Sequence, residues 1–209
     1  MTAITLNLDP IIHLTDEQFY QLCQTNRDVR FERTRLGQLI VMPPTGGESG
    51  RRNFKIAQQL ANWADADGTG VGFDSSTGFK LPNGGDRSPD AAWVKLERWE
   101  AHTPEQRQKF PPLAPDFVVE LRSATDDLKP LQEKMQEYCD NGVRLGWLID
   151  PQNQRVEIYR QGQNVEVLHS PAKLLGEDVR GVCVGIEPNP MIYSWGVSMD
   201  SRHCVPKIG

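Results

Sequence analysis

An apolar segment that ends in a carboxylate, FVVEL at residues 117–121, sets the first condition on the fold of this chain. Runs such as residues 117–119 are typical of strands that are buried on both faces of a sheet. An ionised Glu120 at the end of such a strand needs a counter-charge, a metal ion or water, because an unpaired buried carboxylate is very costly. The chain must therefore bury this strand and also supply a partner for Glu120.

Chain length and net charge restrict the class of protein. The 209 residues suit one domain with its own core. We divide residues 1–209 into an N-terminal helical extension (1–29), a core (30–169) and a C-terminal extension (170–209). A formal net charge of −5 argues against a protein that coats nucleic acid non-specifically. A local basic patch or a metal-bridged phosphate is compatible with this charge.

The cysteines and the N-terminus favour a cytoplasmic protein with reduced thiols. The four cysteines are scattered and form no C-x-x-C pair, which argues against zinc and redox motifs. The N-terminus lacks the basic and apolar regions of a signal peptide. No run reaches the ~18 apolar residues of a membrane span. We therefore expect reduced thiols and no membrane association.

The periodicity of apolar residues predicts a mixed α/β domain in which helices flank a central sheet. Three helices are predicted, at residues 14–26 (with Thr15 and Gln18 as a capping box), 48–68 and 127–141. Strands are predicted within residues 29–44 (a hairpin that turns at Leu36-Gly37), 70–81, 88–96, 117–121, 143–150, 155–161, 165–170 and 182–186. We expect residues 97–115 to form a proline-rich loop and residues 198–209 to be partly loose.

Two acids occupy comparable positions at strand ends. Asp90 opens the strand AAWV, and Glu120 closes the strand FVV. Because antiparallel neighbours run in opposite directions, the start of one strand lies beside the end of the next, so these acids can meet at one edge of the sheet. Two adjacent carboxylates repel unless a cation lies between them. Mg²⁺ suits such a pair because it prefers hard oxygen ligands and keeps several waters.

Lys134 is the third candidate residue. On the helix that starts near Asp127, the residues Leu131, Met135 and Tyr138 share one apolar face, and Lys134 lies about 60° from Leu131. A lysine there can run its stem along the core and lift its ammonium out at the sheet edge. It could orient or help deprotonate a water, or stabilise charge on a phosphate.

The ordered blocks of the sequence resemble a known family. PDAAWV, PDFVVELRSATD and LQEKMQEYCDNGVRLGWLIDPQNQRVEIYR, together with FERTRLGQLIVMPPTGGES, resemble the Uma-two family of endonucleases in the PD-(D/E)XK superfamily. The resemblance covers roughly residues 30–161. It implies a restriction-endonuclease-like core with a Mg²⁺ or Mn²⁺ site at the sheet edge, and hydrolysis of phosphodiester bonds in DNA.

The resemblance also assigns roles to individual residues. Asp90 and Glu120 match the two acids of the superfamily and, with the main-chain carbonyl of Leu121, would hold the metal ion. Lys134 matches a helix lysine that replaces the usual strand lysine. Glu48 matches an additional helix acid that supports the metal or its water. The chain departs from the superfamily at Arg122, which stands where the strand lysine is expected and cannot act as a base.

Basic residues follow Glu48 on the predicted second helix. Arg51, Arg52 and Lys55 cluster in its first turns and could contact backbone phosphates without reading sequence. Arg122 could also bind phosphate. Cutting both strands of a duplex needs two sites, so a homodimer is compatible with this reading.

Each candidate also has a structural interpretation. Asp90 can be a turn residue, Glu120 can pair with Arg122 or Arg144, and Lys134 can be a surface lysine. Glu48 can be an acid in the first helical turn that interacts favourably with the helix dipole. Arg51, Arg52 and Lys55 can form a solvated face of the helix. A glycosidase with paired carboxylates stays open but leaves Lys134 without a role. The main alternative function is a catalytically inactive nucleic-acid-binding or partner-binding protein on a nuclease scaffold.

Overall fold

The computed structural model describes residues 3–9, 11–171, 173–175 and 183–185. Its helices are α1 (Asp16–Thr25), α2 (Gly47–Asp67), α3 (Leu96–Glu100), α4 (Pro104–Gln108) and α5 (Leu128–Asp140). Its strands are β1 (Ile4–Leu6), β2 (Arg30–Arg33), β3 (Leu39–Met42), β4 (Gly70–Asp74), β5 (Phe79–Lys80), β6 (Asp86–Arg87), β7 (Ala91–Lys95), β8 (Phe117–Leu121), β9 (Leu145–Asp150), β10 (Arg155–Arg160), β11 (Glu166–His169), β12 (Lys173–Leu175) and β13 (Cys183–Gly185).

A six-stranded mixed sheet forms the centre of the fold. Its strand order is β11-β10-β9-β8-β7-β4. The β8–β9 pair is parallel and the other pairs are antiparallel. Two parallel neighbours need a crossover connection, and α5 supplies it between β8 and β9. This connection places α5 directly over the strand that carries Glu120.

A second, antiparallel sheet has the strand order β1-β3-β2-β6-β5. The β2–β3 hairpin turns at Gly37, whose φ of 78° is the left-handed conformation that glycine adopts without strain. The short strands β5 and β6 belong to this sheet although they lie between β4 and β7 in the chain. The second sheet therefore reaches the chain segment that leads directly into Asp90. The third sheet is the β12–β13 pair.

Alternation along the central strands builds a core on each face of the six-stranded sheet. On one face α2 contributes Ile56, Leu60 and Ala64, which pack with Ala91, Trp93, Phe117, Val119 and Trp147. On the other face α5 contributes Met135, Tyr138 and Cys139, which pack with Ala92, Val94, Val118 and Leu148. Each fully buried large apolar side chain contributes about 1.5–3 kcal/mol to stability, so these two clusters fix α2 and α5 on opposite faces.

The helix ends follow the local signals in the sequence. The capping box of Thr15 and Gln18 at α1 is confirmed, and α2 ends at Gly68, whose φ is 68°. The α5 helix ends before Asn141 and Gly142, as predicted. No helix in the described ranges is long and apolar enough to span a membrane.

The mixed α/β fold with a central sheet flanked by helices is confirmed, but two local predictions are wrong. Residues 97–115 are not simply a loop, since they contain α3 and α4, and Thr103 caps α4 with its own capping box. The segment 70–81 is not one strand either. It divides into β4 and β5 of different sheets, because Asp74 accepts hydrogen bonds from the backbone and hydroxyl of Ser76 and so turns the chain.

The ends of the chain differ in how they compare with the sequence predictions. The short strand β1 was not predicted. The strand predicted at residues 182–186 is present as β13, whereas the loose end predicted for residues 198–209 lies outside the described residues. The division into an N-terminal extension, a core and a C-terminal extension stays a prediction.

The close packing of β4 on β7, the strand that follows Asp90, can be tested by substitution of Gly70. A Cβ atom at Gly70 would lie 2.3 Å from an indole carbon of Trp93 and 2.4 Å from the carbonyl oxygen of Val94. We expect Gly70→Ala to lower the free energy of unfolding by about 1–3 kcal/mol through overpacking, measured by urea denaturation. Gly72→Ala on the same strand is the control, because its Cβ would meet only Ala64 at 3.8 Å. Equal effects of the two substitutions would contradict this packing.

Candidate functional site

Antiparallel pairing of β7 and β8 brings Asp90 beside Glu120. Ala91 pairs with Val119, so Asp90 stands opposite Glu120 one position further along. The carboxylate oxygen Oδ2 of Asp90 accepts a hydrogen bond of 2.8 Å from the backbone N–H of Leu121. The predicted meeting of these two strand ends is confirmed by the register. Glu120 lies, by alternation with Val118, toward the face that α5 covers.

Asp90 is held from the other side by α2. The side-chain amide of Asn53 donates a 2.8 Å hydrogen bond to Oδ1 of Asp90. Burial raises the pKa of Asp90, and the hydrogen bonds from Leu121 and Asn53 only partly offset that effect. The amide oxygen Oδ1 of Asn53 is buried and has no hydrogen-bond partner among the described residues. A buried acceptor without a donor is costly, so this oxygen marks a place where a water or a cation would be stabilised.

Glu120 is buried, with 4% of its surface exposed. Its Oε1 atom lies 2.7 Å from Nζ of Lys134 and accepts a 3.0 Å hydrogen bond from the hydroxyl of Tyr138. Burial raises the pKa of Glu120 to about 7; Lys134 opposes the rise, while the charges of Asp90 and Glu32 add to it. The carboxylate is therefore only partly neutralised by its protein partners, and an additional cation near Asp90 would favour its ionised form.

Lys134 lies between two buried carboxylates. Its Nζ atom is 2.8 Å from Oε1 of Glu32 as well as 2.7 Å from Oε1 of Glu120. The predicted proximity of Lys134 to the strand end is confirmed, but the prediction that its ammonium emerges from the sheet edge is wrong, since only 11% of the side chain is exposed. The physical reason is Glu32, which reaches in from the second sheet and attracts the ammonium inward.

The charge state of Lys134 follows from the same contacts. Burial would lower the pKa of Lys134, but the adjacent charges of Glu120 and Glu32 outweigh burial and raise it. A lysine that stays protonated cannot remove a proton from water. This leaves the other role considered above, namely orienting a water or stabilising negative charge.

Three residues that sequence reasoning missed complete the cluster around Lys134. Glu32 on β2 also accepts from the backbone N–H of Ser88 at 2.9 Å and pairs with Arg87 at 3.0 Å. Arg87 in turn donates to Glu137 on α5 at 2.6 Å. The sequence carries no signal for these contacts, because Glu32 and Arg87 are 55 residues apart and their strands pair in a second sheet.

Arg122 does not face the two acids. Its guanidinium lies 2.9 Å from Oδ2 of Asp150 and donates a 3.0 Å hydrogen bond to the carbonyl of Asp126. The alternative in which Arg122 neutralises Glu120 is therefore wrong: Glu120 pairs with Lys134, and Arg122 pairs with Asp150. The residue at the usual position of the strand lysine serves to hold the end of β9 and the turn before α5.

The candidates at the start of α2 form a charged group in which Glu48 and Arg51 are exposed and Arg52 and Lys55 are partly buried. Glu48 pairs with Arg51 at 2.7 Å and with Arg52 at 3.2 Å, and the hydrogen bond from Arg51 lowers its pKa. Lys55 donates to Gln58 at 3.0 Å. The described contacts of Glu48 are with these arginines rather than with Asp90 or Glu120. Asn53 is the α2 side chain that contacts Asp90. The sequence did not predict this contact.

The oxygen atoms of this site suit a hard divalent cation that takes few ligands from the protein. The described residues include no group of three or more His, Cys, Asp or Glu side chains that could hold a metal ion. Mg²⁺ does not require one, since it is commonly held by one or two carboxylates with waters and substrate oxygens. Asp90, Glu120 and the unpartnered oxygen of Asn53 are all oxygen donors. Oxygen donors of this kind suit Mg²⁺ or Mn²⁺ with water ligands, and the described residues of the site lack the Cys and His ligands typical of structural zinc sites.

Comparison with known structures identifies the class of fold. The structure described as "Crystal structure of a putative nuclease belonging to DUF820 from Anabaena variabilis ATCC 29413" matches with a TM-score of 0.65 and 20% identity. The match covers 87% of this chain and 92% of that chain. At this identity the likeness shows the fold alone, a mixed α/β fold with helices on a central sheet.

The family follows from a match in sequence. The family model described as "Uma2: Putative restriction endonuclease" matches residues 16–186. Because this match spans most of the chain, the protein belongs to the Uma2 family, as the blocks within residues 30–161 predicted. A DrdV–DNA complex matches at 15% identity and a TM-score of 0.35, over 54% of this chain and 9% of that chain, which is too weak to support an argument. No curated protein matches the chain.

Glu32 provides a test of the buried cluster. Burial opposes its ionisation, but Lys134 and Arg87 outweigh burial and lower the pKa of Glu32 from 4.5 to about 2. Because the folded-state pKa is the lower one, the charge stabilises the fold above about pH 4.5, and this contribution is lost as the pH falls toward 2. We expect Glu32→Gln to cost about 3 kcal/mol at pH 7 and less at pH 3, measured by urea unfolding.

The control for this prediction is Glu48→Gln, which removes a carboxylate that is paired on the surface. Exposed ion pairs contribute little to stability, so this variant should unfold like the unaltered protein at both pH values. A loss in Glu32→Gln that is equally large at pH 3 and pH 7 would contradict the assigned charge of Glu32.

Proposed function

We propose that the protein is a metal-dependent DNA endonuclease that hydrolyses phosphodiester bonds with Mg²⁺ or Mn²⁺. The observation that carries this proposal is the convergence of Asp90, Glu120 and Lys134 at one end of two antiparallel strands. Membership of the Uma2 family supports it. Two carboxylates can hold a divalent cation, and a fixed ammonium can stabilise the charge that develops on a phosphate.

The metal ion would be held by Asp90, Glu120 and the main-chain carbonyl of Leu121. When bound, Mg²⁺ supplies polarisation of the phosphate and a lower pKa for an adjacent water. The residues around it keep this set in place: Leu121 and Asn53 hold the two oxygens of Asp90, and Tyr138 holds one oxygen of Glu120. The pKa of Tyr138 is raised well above its usual value by burial, so its hydroxyl stays a donor to that carboxylate.

Lys134 would contribute as a fixed positive charge. Its ammonium remains protonated, so it orients the attacking water and stabilises the negative charge that develops on the phosphate. Preorganised charges in a water-poor site are effective because they need not reorganise during the reaction. The buried position of Lys134 between two strands meets that condition better than an exposed lysine would.

DNA would approach along the first turns of α2. Arg51 and Lys55 lie on the same helix as Asn53, which contacts Asp90 directly. Together with Arg52 they provide three positive charges against the single negative charge of Glu48, so a basic strip exists despite the net charge of −5. Contacts of this type position the phosphate backbone and do not specify sequence. Because Arg122 is held by Asp150, we do not assign it to DNA.

A catalytically inactive nucleic-acid-binding protein is the second candidate. The observation that favours it is the structural use of Arg122, which leaves the strand position of the superfamily lysine without a free amine. The two candidates differ in their need for metal. An endonuclease binds Mn²⁺ and cuts DNA, whereas a binding protein retains its affinity for DNA in the presence of EDTA and cuts nothing.

Substitution of the two acids tests the proposal. We expect Asp90→Asn and Glu120→Gln each to lower the cleavage of supercoiled plasmid in Mn²⁺ by about 100-fold or more and to weaken Mn²⁺ binding in calorimetry. Lys134→Met should lower turnover by a similar factor without lowering the affinity for Mn²⁺, because the ammonium does not contact the metal.

Glu48→Gln is the matched control, since Glu48 is paired with Arg51 and Arg52 outside this cluster. It should bind Mn²⁺ like the unaltered protein and should not lower the cleavage of DNA. DNA binding that persists in EDTA, together with the absence of any Mn²⁺ binding or cleavage, would contradict the endonuclease and favour the binding protein.

A further inference from the structure

Glu32 is a buried carboxylate that the proposed reaction does not use. It lies on β2 in the second sheet, and 2% of its surface is exposed. Its Oε1 atom is 2.8 Å from Nζ of Lys134, which is almost the same as the 2.7 Å between Lys134 and Glu120. One ammonium is thus shared by two carboxylates that come from different sheets.

The contacts of Lys134 leave its ammonium little freedom. A protonated lysine has three N–H donors, and Nζ has three oxygen neighbours: Glu120, Glu32 and the carbonyl oxygen of Ser88 at 3.4 Å. An ion pair with Glu120 alone would define one direction for this flexible side chain. The pair with Glu32 adds a second, strong direction, so it fixes where the positive charge lies.

Glu32 is itself fixed by the surrounding residues. Ser88 donates its backbone N–H to Oε1 of Glu32, and Arg87 binds Oε2. Arg87 is anchored in turn by Glu137, which lies three residues after Lys134 on α5 and so on the same side of that helix. The second sheet and α5 are therefore joined by a closed set of ion pairs in which Glu32 is the contact to Lys134.

The balance of charge gives Glu32 a second effect. Lys134 and Arg87 carry two positive charges, while Glu32, Glu120 and Glu137 carry three negative charges when ionised. Because Lys134 is shared, it does not fully neutralise Glu120. Without the charge of Glu32, the ammonium would pair with Glu120 alone and would compete more strongly with a cation for that carboxylate.

We propose that Glu32 is a positioning residue that holds the Lys134 ammonium beside Glu120 and, by sharing its charge, keeps Glu120 available to the divalent cation. This inference rests on the proposed function for its effect on cation binding and turnover. Its geometric part, the immobilisation of Lys134, is independent of any reaction.

Asp86 provides a matched control for the loss of a buried ion pair. It lies in the same sheet as Glu32, 4% of its surface is exposed, and it pairs with Arg33 at 2.7 Å. Its described ion pairs are with Arg33 and Lys80 rather than with Lys134. Asp86→Asn therefore disturbs a comparable interaction without changing the partners of Lys134.

The test combines an NMR measurement with Mn²⁺ calorimetry and cleavage kinetics on the full chain. In ¹H–¹⁵N spectra of lysine ammonium groups, Lys134 should give a slowly exchanging signal, assigned by its loss in Lys134→Met. We expect Glu32→Gln to accelerate this exchange at least tenfold, to weaken Mn²⁺ binding about tenfold and to lower kcat about tenfold with little change in KM for DNA. Glu32→Asp, which restores the charge, should recover part of each loss, and Asp86→Asn should change none of them.

The outcomes separate the two claims. A Lys134 signal and an Mn²⁺ affinity that are unchanged in Glu32→Gln would overturn the positioning role while leaving the endonuclease intact. An unaltered protein that neither binds Mn²⁺ nor cuts DNA would overturn the proposed function and the cation part of this inference. If Glu32→Gln does not fold, which circular dichroism would show, Glu32→Asp alone decides: its shorter side chain should accelerate the exchange and weaken Mn²⁺ binding about threefold, and no change would overturn the role.

Discussion

The Lys134 ammonium, shared between Glu120 and Glu32, is the interaction on which the site depends. Removing each charged group from water costs several kcal/mol, and only close pairing with good hydrogen bonds offsets that cost. The contacts of 2.7 and 2.8 Å meet this condition. They also join elements that would otherwise be separate, because Glu120 belongs to the six-stranded sheet, Glu32 to the second sheet and Lys134 to α5.

Strand topology determines where this interaction can form. The antiparallel β7–β8 pair places Asp90 beside Glu120, and the parallel β8–β9 pair requires a crossover that lays α5 over them. A lysine on α5 can therefore reach the carboxylates that a strand lysine would otherwise reach. Arg122 pairs with Asp150 instead, so this arginine at the end of β8 is not left as an unpaired charge.

Local features of the sequence predicted most of the fold and the first half of the site. The FVVEL strand, the end of α2 at Gly68 and the apolar face of α5 are encoded within a few residues, and they sufficed to place Asp90, Glu120 and Lys134 together. Glu32, Arg87 and Asn53 could not be found in this way, since their contacts depend on how the second sheet and α2 pack on the central sheet. The inward direction of Lys134 was missed for the same reason.

The central claim is that Asp90 and Glu120 hold one divalent cation between them. Anomalous diffraction from crystals soaked in Mn²⁺ measures this directly. The account predicts one strong peak within about 2.0–2.3 Å of a carboxylate oxygen of each acid, with Lys134 still in contact with Glu32. A structure in which Mn²⁺ binds elsewhere, or in which the two carboxylates keep only their contacts to Asn53, Leu121, Tyr138 and Lys134 at saturating Mn²⁺, would contradict it.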